Sequence, residues 1–278
     1  MAEFHTLLSD LVLVESPRWH DDRLVFSDWG AGEVIAVDLD GSREVITRID
    51  AIPFCLDRLP DGRLLVVAGE QLLVRERDGA LSKYADLGAV SSKPWNDVVT
   101  DGRGNTYVNN IGFDFPEGEF APGLIALVGP DGTARQVAEG LSFPNGMAVT
   151  PDNSTLIVAE SYGGVLTAYD IAPDGGLSGS RVWADLDRAA PDGICIDAEE
   201  AVWFAEVPGR RCVRVREGGE VLQTISSELG CFACMLGGPD GTTLFATAAA
   251  WPDAMTPGSR TGQILSTEVS VPGAGWPA

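Results

Sequence analysis

Residues 144–175, PNGMAVTPDNSTLIVAESYGGVLTAYDIAPDG, contain short apolar runs separated by turns rich in Asp, Asn and Gly. Runs such as TLIVAE are rich in β-branched and aromatic residues, which favour strands. Tight turns between such runs are typical of antiparallel hairpins. No stretch of the chain carries a sustained helical period. The segment therefore predicts a group of consecutive antiparallel strands.

The same pattern recurs along the chain. Six units open near Glu15, Pro53, Trp95, Pro144, Pro191 and Phe232. These openings lie roughly 40 to 50 residues apart, which is the length of a four-stranded propeller blade. We therefore predict an all-β fold, a six-bladed β-propeller. The N-terminal run FHTLLSDLVLV precedes the first unit, and we predict that it supplies the outer strand of the last blade.

Length and charge narrow the classes of protein to consider. The 278 residues show no linker or low-complexity segment, so we predict a single domain over residues 1–278. Neither an export leader nor a membrane-length apolar run is found, and a cytoplasmic location is expected. The formal charge of −22 argues against nucleic acid and anionic membranes as partners. We expect a small-molecule substrate and a monomer or small homo-oligomer.

The cysteines and histidines exclude several kinds of site. Five cysteines, an odd number, are not typical of a secreted disulfide framework. Cys231 and Cys234 form one C-x-x-C without a second, and on a regular strand they would lie on opposite faces. A structural zinc site is therefore not expected. His5 and His20 lie beside no nucleophile signature, which leaves carboxylate and amide chemistry around a metal.

Four of the units begin with an oxygen-donor side chain at nearly the same point. These are Glu15 in VESPRW, Asn96 in KPWNDVV, Asn145 in SFPNGMAV and Asp192 in APDGICI. If each segment opens an innermost strand, the four side chains converge on one central channel. Asn or Asp before Gly is usually a turn residue, but both such pairs open an apolar strand here. We therefore predict a central metal site, with calcium favoured and magnesium, manganese or zinc compatible.

Several of these stretches resemble the regucalcin (senescence marker protein)/gluconolactonase family, and the resemblance covers essentially the whole chain. They are ESPRW (15–19), WNDVVTDGRGNTYV (95–108), FPNGMAVTPDNSTLIVAES (143–161) and PDGICIDAEEAVWFAE (191–206). The resemblance implies metal ligation by Glu15, Asn145 and Asp192. It also implies that Asp192 is the general base and that Asn96 contacts substrate or water.

The activity that the resemblance implies is divalent-metal-dependent hydrolysis of lactones or related cyclic esters. In such a reaction the metal polarises the carbonyl and Asp192 takes the proton. Two alternatives remain open at this stage. One is hydrolysis of an organophosphate or phosphotriester on the same site, and the other is a non-catalytic propeller that binds calcium or a small ligand.

One departure from the family concerns the substrate. Family members often carry an arginine two residues before this asparagine, whereas Pro94 followed by Trp95 stands here. We therefore predict a more apolar pocket in which Trp95 and Phe113 bind substrate. Further candidates are Phe115, Phe143, Tyr162 and Trp251. Packing between blades is the alternative for each aromatic side chain.

The stretch NIGFDFPEGEFAPG is longer than a hairpin needs, and long insertions are often functional. We predict that residues 112–123 form a loop over the channel mouth and that Glu119 reaches the substrate. An ordinary surface loop is the alternative.

Overall fold

The computed structural model describes residues 2–256 and 258–276. In that part of the chain, 24 strands form six antiparallel sheets of four strands each. The chain begins with β1 (His5–Leu11). The first sheet then contains β2 (Val14–His20), β3 (Arg23–Asp28), β4 (Glu33–Val37) and β5 (Arg43–Arg48). The second contains β6 (Phe54–Arg58), β7 (Leu64–Ala68), β8 (Gln71–Arg75) and β9 (Leu81–Asp86).

The next three sheets repeat this order. The third contains β10 (Trp95–Thr100), β11 (Thr106–Asn110), β12 (Gly123–Val128) and β13 (Ala134–Leu141). The fourth contains β14 (Pro144–Val149), β15 (Thr155–Glu160), β16 (Val165–Ile171) and β17 (Leu177–Asp185). The fifth contains β18 (Pro191–Ile196), β19 (Val202–Glu206), β20 (Arg211–Val215) and β21 (Val221–Ser226).

The sixth sheet closes the ring with strands from both ends of the chain. It contains β22 (Gly230–Gly237), β23 (Thr243–Ala249), β24 (Gly262–Glu268) and, outermost, β1. Strand β1 runs antiparallel to β24, with His5 opposite Ser266. A short 3-10 helix at Asp253–Met255 lies between β23 and β24. None of the helices in residues 2–256 and 258–276 has the length and apolar character needed to cross a membrane.

The first strands of successive sheets form the inner ring of the propeller. Strands β2, β6, β10, β14, β18 and β22 contact one another in that order, and β22 contacts β2. No predicted blade opening differs from the observed start of these strands by more than two residues. The prediction of an all-β, six-bladed propeller is therefore confirmed, and so is the closure by the N-terminal strand.

Two glycines allow the inner strands to approach closely. A Cβ atom on Gly146 would lie 2.5 Å from the backbone oxygen of Asp192, and one on Gly193 would lie 2.3 Å from Cβ of Ala233. Neither glycine has a positive φ, whereas Gly175, in a hairpin turn, has a φ of 79°. The glycines of the NG and DG pairs that open β14 and β18 therefore allow close packing of neighbouring blades, and neither pair forms a hairpin turn.

The cysteines are buried and free, but one expectation about them is wrong. Strand β22 carries a register irregularity between Cys231 and Ala233. Because of it, Cys231 lies opposite Ala248 and Cys234 lies opposite Ala246, two residues apart on β23, so the two cysteines lie on the same face instead of on opposite faces. Both belong to the apolar core shared by the first, fifth and sixth sheets.

Candidate functional site

The four predicted oxygen donors occupy equivalent positions on four inner strands. Glu15, Asn96, Asn145 and Asp192 are each the second residue of their strand. After this point every one of the four strands shifts register against its neighbour in the sheet. Bulges of this kind re-aim side chains, and here they recur at the same end of the channel. The structure thus brings together residues that are spread from position 15 to position 192.

Hydrogen bonds connect the two amides. Nδ2 of Asn96 donates to Oδ1 of Asn145 at 3.3 Å, and Nδ2 of Asn145 donates to Oγ of Ser161 at 3.3 Å. The Ser161 hydroxyl in turn donates to the backbone oxygen of Pro191 at 2.7 Å. Since the hydroxyl proton is committed to Pro191, Ser161 can only accept from Asn145, and this fixes the orientation of the Asn145 amide.

A small cavity of about 10 Å³ separates these side chains, and Glu15, Asn96 and Asn145 line it. This is the space of a single water molecule or ion. The backbone of Gly193, next to Asp192, also lines the cavity. The cavity therefore suits one small occupant, with side-chain oxygen atoms on part of its lining.

The two carboxylates are buried and lack sufficient counter-charge. Burial raises the pKa of Glu15 to about 8; the Asp97 carboxylate adds to the rise, while the Ser16 backbone N–H and the Arg18 guanidinium oppose it. Burial also raises the pKa of Asp192, and the neighbouring carboxylates of Glu15 and Asp97 raise it further. Oδ1 of Asp192 is buried and has no hydrogen-bond partner among the described residues. An isolated buried carboxylate oxygen is costly, so the site favours an added cation.

A buried ion network lies directly beneath this site. Nη2 of Arg18 lies 3.4 Å from Oδ1 of Asp97, and Nε of Arg18 lies 3.5 Å from Oδ1 of Asp57. The backbone N–H of Thr100 donates to Asp57 at 2.6 Å, and that of Met147 donates to Asp97 at 2.8 Å. One guanidinium thus faces two carboxylates here and only partly offsets the charge of Glu15.

The donor set fits a hard divalent cation. Ca²⁺ and Mg²⁺ prefer carboxylate and amide oxygens, and Glu15, Asp192, Asn96 and Asn145 supply two of each. The negative charge of Glu15 and Asp192 is what such an ion would balance. No group of three or more His, Cys, Asp or Glu side chains suited to a metal occurs among residues 2–256 and 258–276. A site here would therefore depend on the amides as well as the carboxylates.

A larger cavity of about 190 Å³ lies at the other end of the channel, where Arg58 and His20 line it. The C-terminal segment closes this end, since the backbone N–H of Ala274 donates to the oxygen of Ile196 at 3.0 Å. Trp276 also lines this cavity. None of the four oxygen donors does, so its size does not make it the site of the predicted chemistry.

Sequence reasoning missed the residues that support the four donors. Ser161 follows the strand run TLIVAE, and Asn109, in TYVNN, donates from Nδ2 to the backbone oxygen of Asn145. Arg18 and Asp97 each lie within the stretches quoted for the family resemblance. A signal was present, because a charged residue on the innermost strand of a propeller is buried and needs a partner.

The structure places the predicted substrate-binding side chains Trp95, Phe113 and Glu119 in different surroundings. Trp95 is 3% exposed and packs in the core between the second and third sheets, with Nε1 donating to the backbone oxygen of Ser91 at 3.2 Å. Phe113 lies in the loop between β11 and β12, where Glu119 is exposed. The structure therefore does not bring Trp95 to the open end of the site, and the substrate roles of Phe113 and Glu119 stay predictions.

Phe113 belongs to a group of five aromatic side chains at this end of the propeller. We call this group the aromatic wall; it consists of Phe113, Phe115, Phe120, Phe143 and Tyr162. Trp251 lies apart from it and packs on Phe232, with a centroid distance of 6.0 Å.

Comparison with known proteins shows similarity to one protein family. The profile of the SMP-30/Gluconolactonase/LRE-like region matches residues 13–250. Pentonolactonase XacC of Haloferax volcanii is 27% identical over 252 residues, an alignment that covers 85% of this chain and 81% of the relative. The chain therefore spans most of the length of this lactonase.

Solved structures share the fold at lower identity. A luciferin-regenerating enzyme superposes with a TM-score of 0.85 at 19% identity, covering 98% of this chain and 97% of the other. A calcium-binding protein, regucalcin, from Agrobacterium tumefaciens superposes with a TM-score of 0.79 at 21% identity, covering 95% and 92% of the two chains.

Proposed function

Because this chain belongs to the SMP-30/Gluconolactonase/LRE-like family, we propose that it is a divalent-metal-dependent hydrolase of lactones or related cyclic esters. The observation that carries the proposal is the buried Oδ1 atom of Asp192, which has no hydrogen-bond partner among the described residues and lies beside the Glu15 carboxylate. The resemblance to a pentonolactonase over most of both chains supports the choice of reaction.

Glu15, Asn145 and Asp192 are the proposed metal ligands. A hard dication bound there supplies Lewis-acid polarisation of a carbonyl oxygen. Calcium is favoured because all donors are oxygens and the amides add no charge. A solved structure of similar fold is described as calcium-binding, which agrees with this choice.

One difference between the two carboxylates supports the choice of proton acceptor. Oε2 of Glu15 accepts a hydrogen bond from the backbone N–H of Ser16 at 3.1 Å, and the Arg18 guanidinium attracts it. Oδ1 of Asp192 has no such partner in the described part of the chain. We therefore place the general base at Asp192, as the family resemblance implies, and give Glu15 the role of holding the metal.

The proposed reaction follows from these roles. Asp192 takes a proton from water as the water oxygen adds to the carbonyl carbon of the lactone. The ring carbon–oxygen bond then breaks, and the proton held by Asp192 passes to the leaving ring oxygen. The product is an open hydroxy acid. Asn96, through its amide, orients water or substrate, and Ser161 keeps Asn145 in the orientation that the site needs.

Activity should depend on the metal. Protein stripped with a chelator and reconstituted singly with calcium, magnesium, manganese or zinc is assayed against a panel of lactones and one phosphotriester. Turnover of lactones only with added metal is expected. Exclusive turnover of the phosphotriester would replace the reaction, and tight calcium binding with no turnover of either class would favour the non-catalytic alternative.

The carboxylate Glu15 should dominate metal affinity. Glu15→Gln removes one negative charge while keeping an oxygen donor, so calcium affinity is expected to fall by about tenfold or more. Asp174→Asn is the matched control, since Asp174 is an exposed surface carboxylate paired with Arg135 at 3.3 Å. Calorimetric titration of the stripped proteins measures both. Equal affinities for Glu15→Gln and Asp174→Asn would remove Glu15 from the site.

A further inference from the structure

The aromatic wall is a compact group of rings, although its members come from three separate segments. Phe143 and Tyr162 have a centroid distance of 4.8 Å, and Phe115 and Phe143 one of 5.4 Å. Phe113 lies 5.7 Å from both Phe120 and Phe143. Such distances are typical of aromatic side chains in direct contact.

Backbone hydrogen bonds place the wall beside the proposed metal ligands. The backbone N–H of Ser161 donates to the oxygen of Phe143 at 3.0 Å, and that of Tyr162 donates to the oxygen of Ser142 at 3.2 Å. Ser161 is also the residue that orients the Asn145 amide. The wall and the site are therefore joined through adjacent residues of two segments and lie at the same end of the propeller.

The outer rings of the wall are not buried by the protein. Phe115, Phe120 and Tyr162 are 42%, 50% and 57% exposed, whereas Phe113 beneath them is 5% exposed. Clustered exposed aromatic side chains are typical of ligand-binding surfaces. Core packing accounts for Phe113 but not for the three rings that face solvent.

The surroundings of the wall disfavour an anionic substrate. The loop at 111–122 carries Asp114, Glu117 and Glu119 and no Lys or Arg. Asp114 is bound by Lys93, whose Nζ lies 2.7 Å from Oδ2. The acidic side chains repel anions, and the Tyr162 hydroxyl is the one polar group that the five rings supply.

We propose that the aromatic wall binds an aryl or alkyl substituent of the substrate, so that the preferred substrates are neutral lactones with an apolar group and not polyhydroxylated sugar lactones. This inference rests on the proposed function for the reaction itself. Binding of the substituent against the wall removes apolar surface from water. The resulting gain in binding free energy is about equal in the ground state and the transition state. Its loss should therefore raise KM and leave kcat nearly unchanged.

The test compares three butyrolactones: unsubstituted, phenyl-substituted and polyhydroxylated. The phenyl-substituted lactone is expected to have a kcat/KM at least about tenfold above the other two, the usual scale for an apolar group in a pocket. Phe120→Ser and Tyr162→Ser should each reduce that preference several-fold through KM. Val182→Ser, at an exposed apolar position on the outer strand β17, should leave it unchanged.

Binding of a phenyl-substituted lactam, which resists hydrolysis, is measured by calorimetry on the same variants. Weaker lactam binding by Phe120→Ser supports the wall even if no lactone is hydrolysed, in which case only the proposed function fails. Turnover of all three lactones with equal or reversed preference overturns the wall and leaves the proposed function intact. Absence of both lactam binding and turnover overturns both.

Discussion

Asp192→Asn is expected to lower lactone turnover by about 10²-fold or more, the usual contribution of a general base. Asparagine keeps an oxygen atom near the metal but cannot take a proton from water. The decisive measurement is kcat at saturating calcium for the parent and the variant. Because the loss lies in proton transfer, added metal should not restore turnover.

Asp174→Asn controls for the removal of one negative charge, because Asp174 is exposed on the surface. Its turnover should match that of the parent. Full recovery of the Asp192→Asn protein by excess metal would show that Asp192 acts only as a ligand. The proton acceptor would then have to be sought elsewhere, with Glu15 and the loop carboxylate Glu119 as the next candidates.

The fold was accessible from the sequence because a propeller is periodic. Each blade repeats the same order of apolar runs and turns, so the positions of Glu15, Asn96, Asn145 and Asp192 within that repeat predicted that they converge. The observed starts of the inner strands lie within two residues of the predicted openings. In a propeller, the pattern of residues within each unit therefore also predicts where its strands lie in the fold.

The supporting contacts were not accessible in this way, because they depend on pairing between strands and on contacts between blades. The register shift that follows each donor depends on pairing between strands and leaves no local pattern. For Trp95 the sequence left substrate binding and packing between blades open, and the structure shows packing between the second and third sheets. The ion network around Arg18 likewise joins residues that are far apart in the sequence, at positions 18, 57 and 97.

The aromatic wall illustrates what the sequence predicts and what it does not. Phe113 and Tyr162 were among the substrate-binding candidates, but Phe120 was not, and only the folded chain shows that it contacts both of them. Contact between loops of different blades is a long-range property of the packing. A single sequence shows which aromatic residues the chain contains, but not which of them contact one another.

Arg18→Met is expected to lower the free energy of unfolding by about 3–5 kcal/mol, because it leaves two buried carboxylates without their cation. Arg18 contacts Asp57 on β6 and Asp97 on β10, and Asp97 also accepts from the backbone of Met147 on β14. The network thus joins four inner strands. Methionine keeps most of the side-chain volume, so the loss is electrostatic and not a cavity effect. Urea unfolding measures it.

The matched control is Arg181→Met. Arg181 makes a 2.7 Å contact with Asp170, but both side chains are largely exposed. Exposed pairs contribute about 1 kcal/mol or less, so the control should unfold close to the parent. Equal losses in the two variants would mean that the buried network contributes no more than a surface pair.

The loss of stability in the Arg18→Met variant should also depend on pH, and the direction of that dependence follows from the pKa of the buried carboxyl groups. Burial already raises the pKa of Asp57 from 3.8 to about 6 despite the opposing Arg18 guanidinium, so removing Arg18 raises it further. A carboxyl group whose pKa is raised in the folded state binds its proton more tightly there than in the unfolded chain. Its contribution to stability is therefore present at low pH and is lost as pH rises through the folded pKa. The difference in the free energy of unfolding between parent and variant should be small near pH 5 and largest near pH 8. A difference that grew on acidification would show that Arg18 does not stabilise these carboxylates in their charged form.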